Sequence, residues 1–263
     1  MSIQNLPDKW PHKTKILFTD IDDTLTWEGQ LPLETYKALH DLRNMGIKVV
    51  PVTGGSAGWA DCLIRTWPID TIITENGSMW LSKDSSNKVT RHYYLNEIER
   101  QKNWQRLNSL KREFRSIFPN ISDTEDQDFR LTDIAFDIGQ QVSIERSLAL
   151  QAANWWKEKG ALARCSSIHI NVWMGEYDKA QGALKWLQEE NASVDQNECA
   201  FVGDSPNDEA MFTHFDNTVG VANISAFFND LKDRPKYLTS QKGGYGFVEL
   251  ANSMITGFNE LSS

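Results

Sequence analysis

The chain has 263 residues, with 40% hydrophobic and 24% charged residues, a balance that fits one large folded domain or two modest ones and argues against disorder. Its net charge of -9 and lack of a long basic run exclude a nucleic-acid backbone as the main partner, which would need clustered Lys and Arg; Lys111-Arg112, beside Glu113, reads as a solvated helix face. Cys62, Cys165 and Cys199 form neither a disulfide framework nor a Cys-x-x-Cys metal site, and with a polar start and no membrane-length apolar run the expectation is a cytoplasmic chain without a membrane partner.

Lys15 to Phe18 is a short apolar run ending in Thr19-Asp20, which predicts a buried strand with an acidic tip. Leu33, Tyr36, Leu39, Leu42 and Met45 recur at helical spacing before Gly46. Ile47 to Val52 predicts a second strand, ending at Thr53-Gly54-Gly55. Ser56 to Trp67 predicts a helix closed by Pro68, and Thr71 to Thr74 a third strand, ending at Glu75-Asn76-Gly77. Alternating strands and helices point to a parallel sheet wrapped by helices.

The pattern then changes. Ser82 to Asn87 is turn-like, Val89 to Tyr94 strand-like, and Asn96 to Phe118 a long helix before Pro119. Leu131 to Ile138 predicts a strand and Val142 to Lys159 a helix. Arg164 to Trp173 alternates as a half-buried strand does. From Asp178 the first pattern resumes, with a helix to Glu190 and a strand Cys199 to Val202 that ends in Gly203-Asp204. A helix over Pro206 to Phe212, a strand Thr218 to Val221 and a last helix near Phe247 follow. The reading is an α/β core, residues 1–81 and 174–263, interrupted by an α+β insertion over 82–173. The ten tryptophans are read as core and surface filling.

Ligands of open α/β sheets sit beyond the C-terminal ends of the strands. Three such ends carry reactive residues: Asp20-x-Asp22-Asp23-Thr24, Thr53-Gly54-Gly55, and Gly203-Asp204-x-x-Asn207-Asp208. Lys179 opens the helix after the insertion. Converging Asp20, Asp22, Asp204 and Asp208 would repel one another without a cation, and hard oxygen donors suit Mg²⁺. The ion and Lys179 would keep Asp20 ionised and able to attack phosphorus. Thr53 and the backbone N–H groups around Gly54 could bind a phosphoryl oxygen. Asp22 could protonate the leaving oxygen and later activate water. Taken singly, each piece has a plainer reading: a helix N-cap at Asp22 to Thr24, a turn at Thr53-Gly54-Gly55, a surface lysine, and an orienting role for Asp208.

These residues resemble the four motifs of the haloacid dehalogenase-like hydrolases. The core matches by motif and the middle by where it is inserted. That position, and the Glu75-Asn76-Gly77 turn, look like the type IIB branch. This branch includes sucrose-phosphate, trehalose-phosphate and mannosyl-phosphoglycerate phosphatases, Cof-like sugar phosphatases and phosphomannomutases. The resemblance implies a Rossmann-like α/β core with an inserted α+β cap. It implies Asp20 as nucleophile, Asp22 as acid/base, and Thr53 and Lys179 on the phosphate. Magnesium would be held by Asp20, the backbone carbonyl of Asp22 and Asp204, with Asp208 assisting. Two positions depart from the family's habits. Gly55 stands where members often carry a basic residue, and Asp23 where many carry Gly.

The expected activity is Mg²⁺-dependent phosphomonoester hydrolysis of a small phosphorylated sugar or polyol, with Gly54 and Asn207 also at the substrate. Ser167, His169, Asn171 and Trp173 share one strand face. If it looks down on Asp20, His169 and Asn171 are substrate contacts; otherwise it is a solvent face. Arg130 could meet an anionic group of the substrate, but reads first as a surface arginine. A phosphomutase using the same aspartyl-phosphate, a receiver-like phospho-acceptor and a degenerate sugar-binding relative are the competing readings. A hinge is expected near Leu81 and Trp173.

Overall fold

The computed structural model describes residues 3–166 and 168–261. In chain order the elements are β1 (Gln4–Asn5), β2 (Ile16–Thr19), α1 (Leu33–Asn44), β3 (Lys48–Pro51), α2 (Ala57–Thr66), β4 (Thr71–Thr74), β5 (Met79–Lys83), β6 (Val89–Tyr93) and α3 (Glu97–Ile117). Next come β7 (Ile134–Asp137), α4 (Arg146–Glu158), β8 (Leu162–Cys165), β9 (His169–Trp173) and α5 (Lys179–Glu190). The chain ends with β10 (Cys199–Gly203), α6 (Glu209–His214), β11 (Thr218–Gly220), β12 (Tyr237–Leu238) and α7 (Gly243–Leu261).

Six strands form a parallel sheet in the order β1-β12-β11-β10-β2-β3. Successive side chains of a strand point to opposite faces. Thus Leu17, Val49, Ala200 and Val202 pack with α1, α2 and α7, whereas Ile16, Phe18, Val50 and Phe201 pack with α5 and α6. Burial on both faces explains why these strands read as continuous apolar runs. Polar side chains set several helix starts: Ser56, Asn96 and Asp178 accept from the backbone N–H of Trp59, Glu99 and Gln181.

A parallel bridge between Val52 and Ile73 joins β4 to this sheet. β4, β5 and β6 then continue it as an antiparallel ribbon. Leu81, the expected boundary and hinge, pairs with Ile72 and Arg91 in the middle of β5. The sequence hides β5 because its apolar run is only Met79 to Leu81, and Ser82 and Lys83, which read as turn, belong to the ladder. With Leu81, Val89 and Tyr93 packed on the core cluster, we propose that the chain crosses between the two units at residues 94–96 and 174–178.

The inserted unit is an antiparallel sheet in the order β7-β9-β8. One face carries α3 and α4 over a core of its own, built on Leu107, Phe114, Phe136, Trp156, Ile170 and Val172. The expected strand Arg164 to Trp173 is instead two strands of a hairpin. The Ser166 hydroxyl accepts from the N–H groups of Ile168 and His169 there, a local turn that competes with the ladder. Ser167 lies outside the described residues. Lys111 is not simply solvated: its Nζ is 2.6 Å from Asp123, with its side chain 13% exposed. The three cysteines are unpaired, and no described helix is long and apolar enough to cross a membrane.

Candidate active site

Asp20 follows β2, and its N–H bonds to Val202 of β10, which ties two neighbouring strand tips together. Lys179, the first residue of α5, reaches both Asp20 and Asp208 at 2.8 Å. The other oxygen of Asp208 accepts from the N–H groups of Asp204 and Ser205 at 3.0 and 3.3 Å. Asp204 accepts from Thr24 Oγ1 at 3.2 Å on one oxygen and from Asn223 Nδ2 at 3.1 Å on the other. Asp20, Lys179, Asp204 and Asp208 are all buried.

Close packing of glycines brings Lys179 here. The turn after β4 runs left-handed through Glu75, Asn76 and Gly77 (φ 47°, 58° and 91°). A Cβ on Gly77 would lie 2.2 Å from the carbonyl oxygen of Asp178, and one on Gly182 would lie 2.4 Å from Gly77 Cα. Only two glycines let the start of α5 approach that turn so closely.

Burial pushes the Asp20 pKa up to about 7, with Asp208 adding repulsion and Lys179 opposing both. Burial likewise raises Asp204 well above the ordinary carboxylate range, with Asp20 and Asp208 adding to it. Burial alone would depress Lys179; Asp20 and Asp208 more than reverse this and hold it charged. Asp22 keeps exposed surface. Desolvation raises its pKa, and Arg130 and Asp126 of the inserted unit are among the charges it feels.

Asp20, Asp204 and Asp208 offer oxygens within 4.8 Å of one another. Three buried carboxylates against one lysine leave a negative excess that a hard divalent cation would neutralise, so the residues fit such an ion. Asp208 gives one oxygen to the Lys179 ammonium and the other to two backbone N–H groups, whereas Asp204 meets only neutral side chains, which suits an orienting role for Asp208. The Asp22 carboxylate stands outside the group, leaving its backbone carbonyl as the donor that the resemblance implies.

Thr53 is buried beside this cluster at the tip of β3. Its Oγ1 accepts from Gly55 N–H at 2.9 Å. The Gly54 carbonyl is met from the inserted unit by Arg130 Nη1 at 3.0 Å and Asn171 Nδ2 at 3.1 Å. The β9 face bearing Asn171 and Trp173 is therefore turned to the core, not to solvent. His169 is half-buried and engages Gln140 at 2.6 Å. Asn207 accepts from the Ser205 hydroxyl at 2.6 Å.

Arg130 is not a surface arginine: it is 3% exposed. Asp126 and Asp133 flank its guanidinium; burial alone would depress its pKa, and these carboxylates more than reverse that. Asp133 is also held by Asn76 and Asn171. Glu75 lies under the same loop and accepts from the N–H groups of Ala57, Leu131, Thr132 and Asp133 and from the Thr132 hydroxyl. That is why the expected strand over Leu131 to Ile138 begins only at Ile134. Asn223, Glu75, Asp126 and Asp133 were not singled out in the sequence, where only the Glu75-Asn76-Gly77 turn gave a signal.

A haloacid dehalogenase-like hydrolase family model matches residues 17–117 and 90–240. Phosphoglycolate phosphatase 1 of Saccharolobus solfataricus is 26% identical over 247 residues, covering 92% of this chain and 96% of the relative. A structure of Thermoplasma acidophilum 0175 superposes with a TM-score of 0.69 at 16% identity, covering 91% of this chain and 97% of that one. The sucrose-phosphatase of Synechocystis, solved with sucrose and phosphate, gives 0.66 at 15% identity over 94% and 98%. Likeness at these identities speaks for the fold, while the family match spans most of the chain. The chain belongs to the haloacid dehalogenase-like hydrolases.

Proposed function

We propose that this hydrolase is a magnesium-dependent phosphatase acting on a small phosphorylated sugar or polyol through an aspartyl-phosphate on Asp20. The observation that carries the reading is Lys179 bridging Asp20 and Asp208 at 2.8 Å each, with Asp204 in reach of the same point. Asp20, the carbonyl of Asp22 and Asp204 would hold the ion, with Asp208 orienting Asp204 and Lys179. A bound Mg²⁺ would neutralise charge on Asp20 and on the transferring phosphoryl group.

Asp20 attacks phosphorus while Lys179 and Thr53 bind the phosphoryl oxygens. Asp22 gives its proton to the leaving oxygen, and its raised pKa suits a proton donor. The deprotonated Asp22 then takes a proton from water, which attacks the aspartyl-phosphate and releases phosphate. Arg130 and Asn171 bring the inserted unit against the Gly54 carbonyl, so that unit acts as a cap over the site, with His169 as its candidate contact to the leaving group. The relative named for phosphoglycolate adds small phosphorylated acids to the substrates worth trying.

The test is phosphate release from p-nitrophenyl phosphate, sugar phosphates and phosphoglycolate, by wild type and Asp20→Asn, each with Mg²⁺ and with EDTA. Turnover that needs the metal and vanishes in Asp20→Asn is expected. Transfer of the phosphoryl group back to sugar, primed by a bisphosphate, would point to a mutase. Folded protein with neither turnover nor Mg²⁺ binding would sink the reading.

A further inference from the structure

Thr53, Gly54 and Gly55 present three successive carbonyls. The core holds the first and third: Asn76 N–H bonds to the Thr53 oxygen, and Glu75 N–H and Thr74 Oγ1 to that of Gly55. The second, on Gly54, is met by Arg130 and Asn171 of the cap. The Gly54 carbonyl and Gly55 N–H belong to one planar peptide. Its oxygen end is held by the cap, and its N–H end bonds to Thr53 Oγ1. Glycine flanks this peptide on both sides, so its rotation meets little steric resistance.

We propose that Arg130 and Asn171 are positioning residues that fix the Gly54–Gly55 peptide and thereby aim the Thr53 hydroxyl at the phosphoryl group. With its oxygen accepting from Gly55 N–H, Thr53 has its own proton free to donate. Without the cap contacts the peptide can turn, Thr53 loses that N–H, and its hydroxyl is no longer directed. The phosphate site is thus completed when the cap is docked. The inference rests on the phosphatase reading and assigns Asn171 to the phosphate loop, where the sequence suggested the substrate.

Arg130→Ala would strand the buried Asp133 carboxylate and the half-buried Asp126 and is expected to unfold. Asn171→Leu is therefore the primary variant, with Arg130→Lys as the second. The measurements are steady-state kinetics on p-nitrophenyl phosphate and on a sugar phosphate, the inhibition constant of inorganic phosphate, and Tm, each also in a Thr53→Ala background. Asn171→Leu should raise the phosphate inhibition constant and lower kcat/KM by about tenfold, by the same factor on both substrates, as expected for the loss of about one oriented hydrogen bond. In the Thr53→Ala background it should change neither. Arg130→Lys should follow the same pattern more weakly.

Losses that differ between substrates, or that add in full to Thr53→Ala, would place Asn171 on the leaving group and overturn the proposal. So would a lower Tm with unchanged kinetics and phosphate inhibition. A wild type without turnover or phosphate inhibition would instead sink the phosphatase reading itself.

Discussion

Asp204 has each oxygen held by a neutral side chain, Thr24 on one and Asn223 on the other. Such partners orient a metal ligand without competing for charge. Asn223→Ala should therefore weaken Mg²⁺ binding by about 10–100-fold, with kcat largely recovered at saturating metal. Calorimetric titration checks this, and unchanged affinity would remove Asn223 from the metal's surroundings. Asp20, Asp204 and Asp208 were legible because motif residues just past strand ends have little freedom to go elsewhere, and Lys179 because it opens the helix α5 after the insertion. Asn223 was not, since its short loop meets the site only through the crossover from β11. Arg130 was misread because Asp126 and Asp133, four residues before and three after, look like ordinary surface pairing. The fact that buries it, Gly54, lies 76 residues away. Asp23 shows the reverse: its φ of 55° is a conformation that glycine adopts freely and aspartate tolerates, which fits a position where the family resemblance leads one to expect Gly.

The elements that carry the site were mostly readable, since buried parallel strands are apolar throughout and end abruptly in polar residues. The failures came where backbone groups bond outside a regular ladder. Leu131 to Asp133 give their N–H groups to Glu75, and Ser166 turns the chain between β8 and β9. The close approach of α5 to the turn after β4 gives a sharp expectation. Gly182→Ala places a methyl 2.4 Å from Gly77 Cα, where backbone rather than a flexible side chain must yield. Overpacking of this kind should cost about 1–3 kcal/mol and lower Tm by about 3–10 °C. Activity should fall too, because Lys179 begins the displaced helix. Thermal melts and kcat decide it; a wild-type melt would mean that α5 has more room than its packing shows. Glu75→Gln should also destabilise, since an amide NH₂ would face N–H groups that now share a carboxylate.

For the whole molecule, pH and metal act together. The Asp20 pKa rises on folding from 3.8 to about 7, and that of Asp133 also rises to about 7, chiefly through burial and against the pull of Arg130. Between those values the folded chain holds protons that the unfolded chain has released, so raising the pH favours unfolding. Without metal, Tm should fall as pH is raised from about 5 to about 8, and Mg²⁺ should flatten the fall by favouring the deprotonated carboxylates. Asp133→Asn should remove a share that the metal does not. Melts in EDTA and in Mg²⁺ across that range test this, and a pH-independent Tm in EDTA would contradict it.

The apolar interior of the cap, from Leu107 to Val172, is closed upon itself, and the clasp described at its border with the core is made of charges and amides. Such a border separates two histories. Substitutions inside the cap need not be answered by substitutions in the catalytic sheet, so the pocket roof can drift, enlarge or be exchanged while the reacting carboxylates stay unchanged. A lineage built this way acquires new substrates by changing its lid and keeping its chemistry.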